Sequence, residues 1–369
     1  MKSSAVSSII SAEDSQKISY LRAFAIIAIV FGHIGGFWFY VPFSSYLYIV
    51  VPLFFFLSGA VSRISFNRTF SLKEYYGKRV VNLLIPYYLL CFICLIVYLS
   101  QNGTFPDFNL TKLNYWLQIR PIMDIRPFPV GQVWFLNALL LISIISPLYF
   151  VLLTRKPIIV LVLVVIFIGF SLYQQIYPDS LQIRLFGNDL YKPMIQSIFY
   201  IFGAYCFALP GNTRNRIMAL TVLVCVSLSL LNVWAGVSID LTDHNFPPTF
   251  YYVMISLMAV CLCYLLIPYI INLVKKLPLI DAFLKFCDKH TFSIFILHTL
   301  SIYLVEVSEV INFLPEKTIA YGILKSIVVL ALTCAVSPLF SRISNTIALF
   351  AMRKLALRKQ STLARTNSS

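Results

Sequence analysis

The sequence predicts an all-α integral membrane protein, a bundle of about ten transmembrane helices with both termini cytoplasmic. Three observations predict it: an apolar excess, regularly spaced apolar runs, and basic residues gathered on one side of those runs. Of the 369 residues, 59% are apolar and 12% are charged, against roughly half and a quarter in soluble domains. Mean hydropathy is +0.84, and 31 Phe with 22 Tyr put the chain outside the composition of disordered proteins. No repeat of about 20 to 50 residues marks a solenoid. A bilayer core of about 30 Å takes about 20 apolar residues per helix. The chain therefore holds about ten spans and has no room for a second large soluble domain.

Apolar runs place the spans near residues 18–38, 45–62, 80–100, 132–153, 157–174, 193–210, 215–235, 250–273, 291–311 and 319–340. Residues 1–17 form a cytoplasmic segment, polar and small, with Glu13, Asp14 and Lys17. They lack the short apolar core and cleavage site of a signal peptide, so the first run is expected to be retained. Pro52, Pro86, Pro147 and Pro268 lie in or beside runs, where neighbouring groups in a membrane satisfy the carbonyls that a proline frees. Residues 18–340 read as one transmembrane domain and 341–369 as a polar, basic cytoplasmic tail, too short for a fused soluble domain.

Lysine and arginine are retained on the cytoplasmic side of short loops, which fixes orientation. With the N-terminus inside, twenty-one basic residues fall on cytoplasmic segments, among them Lys78, Arg79, Arg155, Arg214 and Lys285. Seven fall on the other side (Lys112, Arg120, Arg126, Arg184, Lys192, Lys317 and Lys325), and Arg22 lies within a span. An odd number of spans would scramble this division. The longest external segments, 101–131 and 236–249, carry acidic and aromatic residues such as Asp107, Trp116, Asp124, Asp240 and Asp243. The first reads either as an interfacial helix around Leu113 to Ile119, since Trp and Tyr favour the headgroup region, or as a simple connector.

The net charge of +15 does not point to nucleic acid, because the basic residues sit between apolar runs and form no aromatic-interleaved stripe. The eight cysteines lie almost entirely inside apolar runs, where cysteine packs as a small hydrophobe. Cys91 and Cys94 spell C-x-x-C, but without a second pair or polar ligands nearby no metal is assigned.

Ionisable groups inside a span are costly and normally face a cavity with a purpose, which singles out Arg22, His33 and His298. Arg22 and His33 are eleven residues apart. At 100° per residue that is close to three full turns, so both project from one helix face about 16 Å apart. Arg22, near the cytoplasmic end, can either snorkel to headgroups or bind a ligand. A histidine as deep as His33 stays neutral at pH 7, because charging it away from water is costly, and neutral imidazole is the form that a general base requires. His298 reads as a buried structural histidine or as an acceptor-site residue. Gly32 and Gly36 beside His33 make a small-xxx-small helix contact. Ser58, in Ser-Gly-Ala, lacks the strand-turn-helix context of a nucleophile elbow and reads first as a packing or substrate-bonding hydroxyl.

The stretch LRAFAIIAIVFGH (Leu21 to His33) resembles the first helix of the membrane-bound acyltransferase 3 family. VPLFFFLSGAV (Val51 to Val61) is similar to that family's second helix, and YYGKRVVNLLIPYYLL (Tyr75 to Leu90) to its third. VWFLNALLLISIISPLYF (Val133 to Phe150), NFPPTFYY (Asn245 to Tyr252) and FSIFILHTLSIYL (Phe292 to Leu304) resemble the fourth, eighth and ninth. The matches recur in order from residue 18 to about 304. One departure is Asn82, where the family often has a second basic residue.

The resemblance implies an O-acetyltransferase of the bacterial inner membrane, moving an acyl group from acetyl-CoA to a hydroxyl of a lipid-linked or polymeric glycan such as O-antigen, capsule or exopolysaccharide. His33 would be the general base, Arg22 a charge donor or CoA anchor, and Lys78 and Arg79 the cytoplasmic CoA site. Ser58 and His298 are further candidates. A homo-oligomer and a separate periplasmic partner both stay open. The rival from another class is a secondary transporter or exporter, which would also place Arg and His inside an inside-positive bundle, though no internal repeat supports it. A sensory or scaffold protein is the third reading.

Overall fold

The computed structural model describes residues 11–34, 43–68, 71–120, 122, 124–178, 180–185, 187–315 and 318–366. The helices are α1 (Ala12–Ile34), α2 (Val50–Arg68), α3 (Leu72–Asn102), α4 (Leu110–Leu117), α5 (Val133–Arg155), α6 (Pro157–Ile176) and α7 (Tyr191–Cys206). They continue as α8 (Gly211–Trp234), α9 (Thr242–Asn245), α10 (Phe250–Val274), α11 (Pro278–Lys289), α12 (Thr291–Val307) and α13 (Ile319–Thr366). A 3-10 segment, Phe43–Ile49, leads into α2, and β1 (Arg184–Leu185) pairs antiparallel with β2 (Asn188–Asp189).

Each of the ten apolar runs lies mainly on a helix, residues 35–38 of the first lying outside the described residues. Among the described residues, eight helices are long and apolar enough to cross a membrane, or nine if α11 and α12, bent by 88° at their junction, form one span. The other run lies on α7, which at 16 residues reaches only about 24 Å by the usual rise and so falls short of a full hydrocarbon core.

Helices α1 and α3 begin well before their apolar runs, for local reasons. Glu13 and Asp14 occupy the first turn of α1, where carboxylates complement the helix dipole. Asp14 then accepts hydrogen bonds from Arg214 at 2.6 Å and from Tyr264 at 2.8 Å, so the polar start of α1 is packed rather than solvated. The third helix begins at Leu72 because Ser71 caps it and accepts from the Glu74 N–H, the Ser-x-x-Glu pattern of a helix start. It ends at Gly103, whose φ of 70° is the left-handed conformation that glycine adopts without penalty.

Helix α1 lies at the centre, against α2, α10, α11, α12 and α13. In α6 and α8 only 17% of the apolar window is buried. Leu161, Val165, Leu223 and Leu230 face outward there, as expected of helices solvated by lipid. The closest packing is between α2 and α7. A Cβ on Gly59 would stand 1.9 Å from the Tyr200 carbonyl oxygen, and one on Gly203 would stand 2.0 Å from that of Phe56, so only glycine lets these two backbones meet.

The basic segments converge on one end of the bundle, where Arg214 reaches Asp14, Arg63 reaches Thr154 at 3.3 Å and His290 contacts Ser341 at 3.0 Å. The other loops meet at the far end. There the Leu241 N–H donates to Ser45 at 3.0 Å, Tyr191 donates to the Pro248 carbonyl at 2.7 Å, and Tyr303 donates to Gln101 at 2.6 Å. Residues 101–131 include the short helix α4, and Tyr87 and Tyr88 donate to its last carbonyls, Trp116 O at 3.0 Å and Leu117 O at 2.9 Å.

Candidate active site

His33 stands in the last turn of α1 and His298 in the middle of α12. The two rings meet with centroids 4.8 Å apart, and His298 Nε2 lies 3.1 Å from His33 Nδ1. His298 Nδ1 is 2.6 Å from the Phe295 carbonyl oxygen and His33 Nδ1 is 3.0 Å from that of Ile29. A carbonyl oxygen only accepts, so each Nδ1 carries the proton. His298 Nε2 is then an acceptor for the His33 Nδ1–H. In the neutral front ring the lone pair sits on His33 Nε2, which makes no hydrogen bond among the described residues and is the atom a general base uses.

His298 is fully buried, whereas His33 is exposed to two cavities. The larger, about 760 Å³, is walled by α1, the 3-10 segment, the start of α5, Lys192, the α9 turn and Phe295. The smaller, about 210 Å³, lies toward Arg126, Tyr303 and Glu306. Gly131 and Gln132 join His33 on both walls. Gln132 is buried and its amide donates to the hydroxyl of Thr299, the residue that follows His298 on α12. Both cavities lie at the far end of the bundle, away from the basic segments.

At the basic end, Arg22 donates to Asp288 Oδ1 through Nε at 2.8 Å and through Nη2 at 2.5 Å. The Ser19 hydroxyl donates to the other oxygen of Asp288 at 2.6 Å. The Arg22 side chain keeps 37% of its surface exposed, enough to meet a second anion without leaving Asp288. The structure separates the two basic residues of α3. Arg79 turns inward, donating to the Ser62 hydroxyl of α2 and lying 5.5 Å from the Tyr75 ring centroid. Lys78 turns outward to an exposed ion pair with Glu74 at 2.6 Å, and Asn82 is exposed as well. Ser58 is half-buried and does not line either His33 cavity. Gly32 does line the larger one, while Gly36 lies outside the described residues.

Residues 15–342 match the family model of an acyltransferase domain, Acyl_transf_3. The chain belongs to the acyltransferase 3 family. It is a multi-pass membrane acyltransferase, and the transporter and scaffold readings give way to that match. The chain matches no curated protein and no solved structure.

The structure brings His33 and His298 together, keeps Arg22 and Arg79 facing inward at the other end, turns Lys78 outward there, and leaves Ser58 off both His33 cavities. Four residues of the site escaped the sequence reading: Gln132, Thr299, Lys192 and Asp288. Gln132 is the first residue of the run at 132–153 and immediately precedes α5, where a polar side chain at a span mouth was the available signal. Asp288 sits in a segment read only for its lysines.

Proposed function

We propose that this acyltransferase moves an acetyl group from acetyl-CoA, met at the basic end on the cytoplasmic face of a bacterial inner membrane, to a hydroxyl of a cell-surface carbohydrate. The observation that supports this best is the His33–His298 pair, with His33 Nε2 unbonded among the described residues, on the wall of a cavity at the far end. His33 Nε2 takes the proton of the acceptor hydroxyl as its oxygen attacks the thioester carbon, then returns that proton to the departing thiolate. Throughout, the Nδ1–H stays bonded to Ile29 O and His298 Nε2, so the ring keeps its direction when charged. Gln132 has two amide protons and uses one on Thr299, leaving one for the developing oxyanion.

Arg22 and Arg79 are the residues that fit the CoA phosphates, since guanidinium groups bind phosphate oxygens in pairs and both face the bundle at its basic end. Lys78 adds long-range charge there.

Purified protein in lipid nanodiscs, given acetyl-CoA and a membrane glycan fraction, should release CoA and add the mass of acetyl groups to the glycan by mass spectrometry. Intact acetyl-CoA and an unchanged glycan would contradict the assignment. Equal transfer from long-chain acyl-CoA would remove acetyl as the group carried.

A further inference from the structure

Among the described residues, Lys192 is the one lysine or arginine on the wall of the larger His33 cavity, and no carboxylate stands there. Its ammonium rests on aromatic faces, 4.2 Å from the Phe246 ring centroid and 5.8 Å from that of Trp134. Those two rings meet edge to face at 5.4 Å and also wall the cavity. The nearest acid in sequence, Asp189, caps the Tyr191 N–H at 2.9 Å and makes no ion pair with Lys192 among the described residues. Lys192 and Trp134 continue into a neighbouring cleft of about 230 Å³ that holds Arg120 and Asp189.

Ring faces attract the charge of an ammonium but offer no strong acceptor for its three N–H groups. While water fills the cavity, water supplies those acceptors. A neutral sugar entering would replace the water with hydroxyl acceptors but leave the ammonium stripped of hydration without a counter-charge, a costly outcome. A sugar bearing an anion replaces the water with charge-assisted hydrogen bonds, and the exposed faces of Trp134 and Phe246 suit the apolar face of a sugar ring.

Resting on the acyl-transfer reading above, we propose that Lys192, framed by Trp134 and Phe246, is an acceptor subsite that selects an anionic glycan, with the carboxylate or phosphate of the acceptor seated on its ammonium. The reacting hydroxyl then lies on the same cavity wall as His33.

The test is glycan binding without acetyl-CoA. Full-length protein in nanodiscs is applied to an array pairing carboxylate-bearing, phosphate-bearing and neutral glycans of otherwise matched structure. Binding is expected for one of the anionic classes, and the array shows which. Raising salt should weaken it, while Lys192→Gln should weaken it about tenfold or more, the worth of a charge-assisted hydrogen bond. Lys192→Arg should keep most of it, and the salt dependence needs no variant at all. Preference for neutral glycans, no binding to any anionic glycan, or anionic binding that neither salt nor Lys192→Gln changes would overturn the subsite. Acetyl transfer by the wild type, and its loss in His33→Gln, tests the reaction separately, so failure of the subsite and failure of the reaction are told apart.

Discussion

His33 Nδ1 and His298 Nε2 lie 3.1 Å apart across 265 residues of sequence, with the buried ring accepting from the ring that faces the cavity. His298 is therefore a positioning residue, holding the proton of His33 on Nδ1. Replacing it by Phe keeps the ring and removes the acceptor. His298→Phe should lower kcat for transfer about tenfold, the order of one neutral hydrogen bond, with KM for acyl-CoA within twofold. His298→Gln, whose carbonyl can accept, should recover part of the loss. A change confined to KM would contradict this role.

Arg79 and Lys78 are neighbours in sequence but face opposite ways. Arg79→Ala and Arg22→Ala should each weaken acyl-CoA binding by about ten- to a hundredfold, the range for hydrogen bonds to charged groups. Lys78→Ala, removing an exposed ion pair, should change it less than about twofold. Calorimetric titration with acyl-CoA reads all three, and equal losses at positions 78 and 79 would contradict the division.

Gly59 and Gly203 hold α2 and α7 together by having no side chain. Gly59→Ala puts a methyl group 1.9 Å from a backbone oxygen, which cannot swing aside, so the helices must separate. A loss of at least about 1–3 kcal/mol is expected for such overpacking. It would be seen as a lowered Tm in detergent. Gly77→Ala, with nothing within 4 Å of the added carbon, is the control and should hold or raise the Tm.

The apolar runs were legible because lipid demands one uninterrupted apolar segment for each crossing, whatever the rest of the fold does. Arg22 and His33 were legible as one stripe because they share a helix. The partners were not. His298 meets His33, and Asp288 meets Arg22, only through the packing of α1 against α11 and α12, a tertiary fact that no local period encodes. Asp14 illustrates the same limit. Its sequence neighbours read as a solvated terminus, yet Arg214 and Tyr264, from helices far along the chain, bury it. Gln132 and Lys192 lie at helix mouths, where polarity is ordinary and carries little information until a cavity is seen beside it.

His244 anchors the turn that supplies Thr242, Asn245 and Phe246 to the cavity. Its Nε2–H donates to the Ser238 carbonyl at 3.0 Å, which leaves Nδ1 to accept from the Thr249 hydroxyl, also at 3.0 Å. Burial pushes its pKa below the ordinary histidine value, outweighing the upward pull of Ser238 and of nearby Asp243 and Asp240. Unfolded, the ring titrates near about 6.5. Between that value and the lower folded one, the unfolded segment binds more protons, so stability is full above about 6.5 and is lost as pH falls through the window. Amide hydrogen exchange of residues 236–249 should accelerate between pH 7.5 and 5.5 beyond its intrinsic pH dependence. His244→Gln should abolish the excess. An excess that survives the substitution would assign the effect to another group.

The central claim is that the free Nε2 of His33 removes the acceptor proton, and His33→Gln tests it most directly. Glutamine keeps the size and hydrogen bonding of the side chain but cannot take a proton for transfer. Measured side by side in nanodiscs, the variant should bind acyl-CoA as the wild type does and transfer the acyl group about 10² to 10⁴ times more slowly, the usual range for general-base catalysis. A His33→Gln protein that acylates the acceptor at near wild-type rate would contradict the account and leave His33 a structural residue.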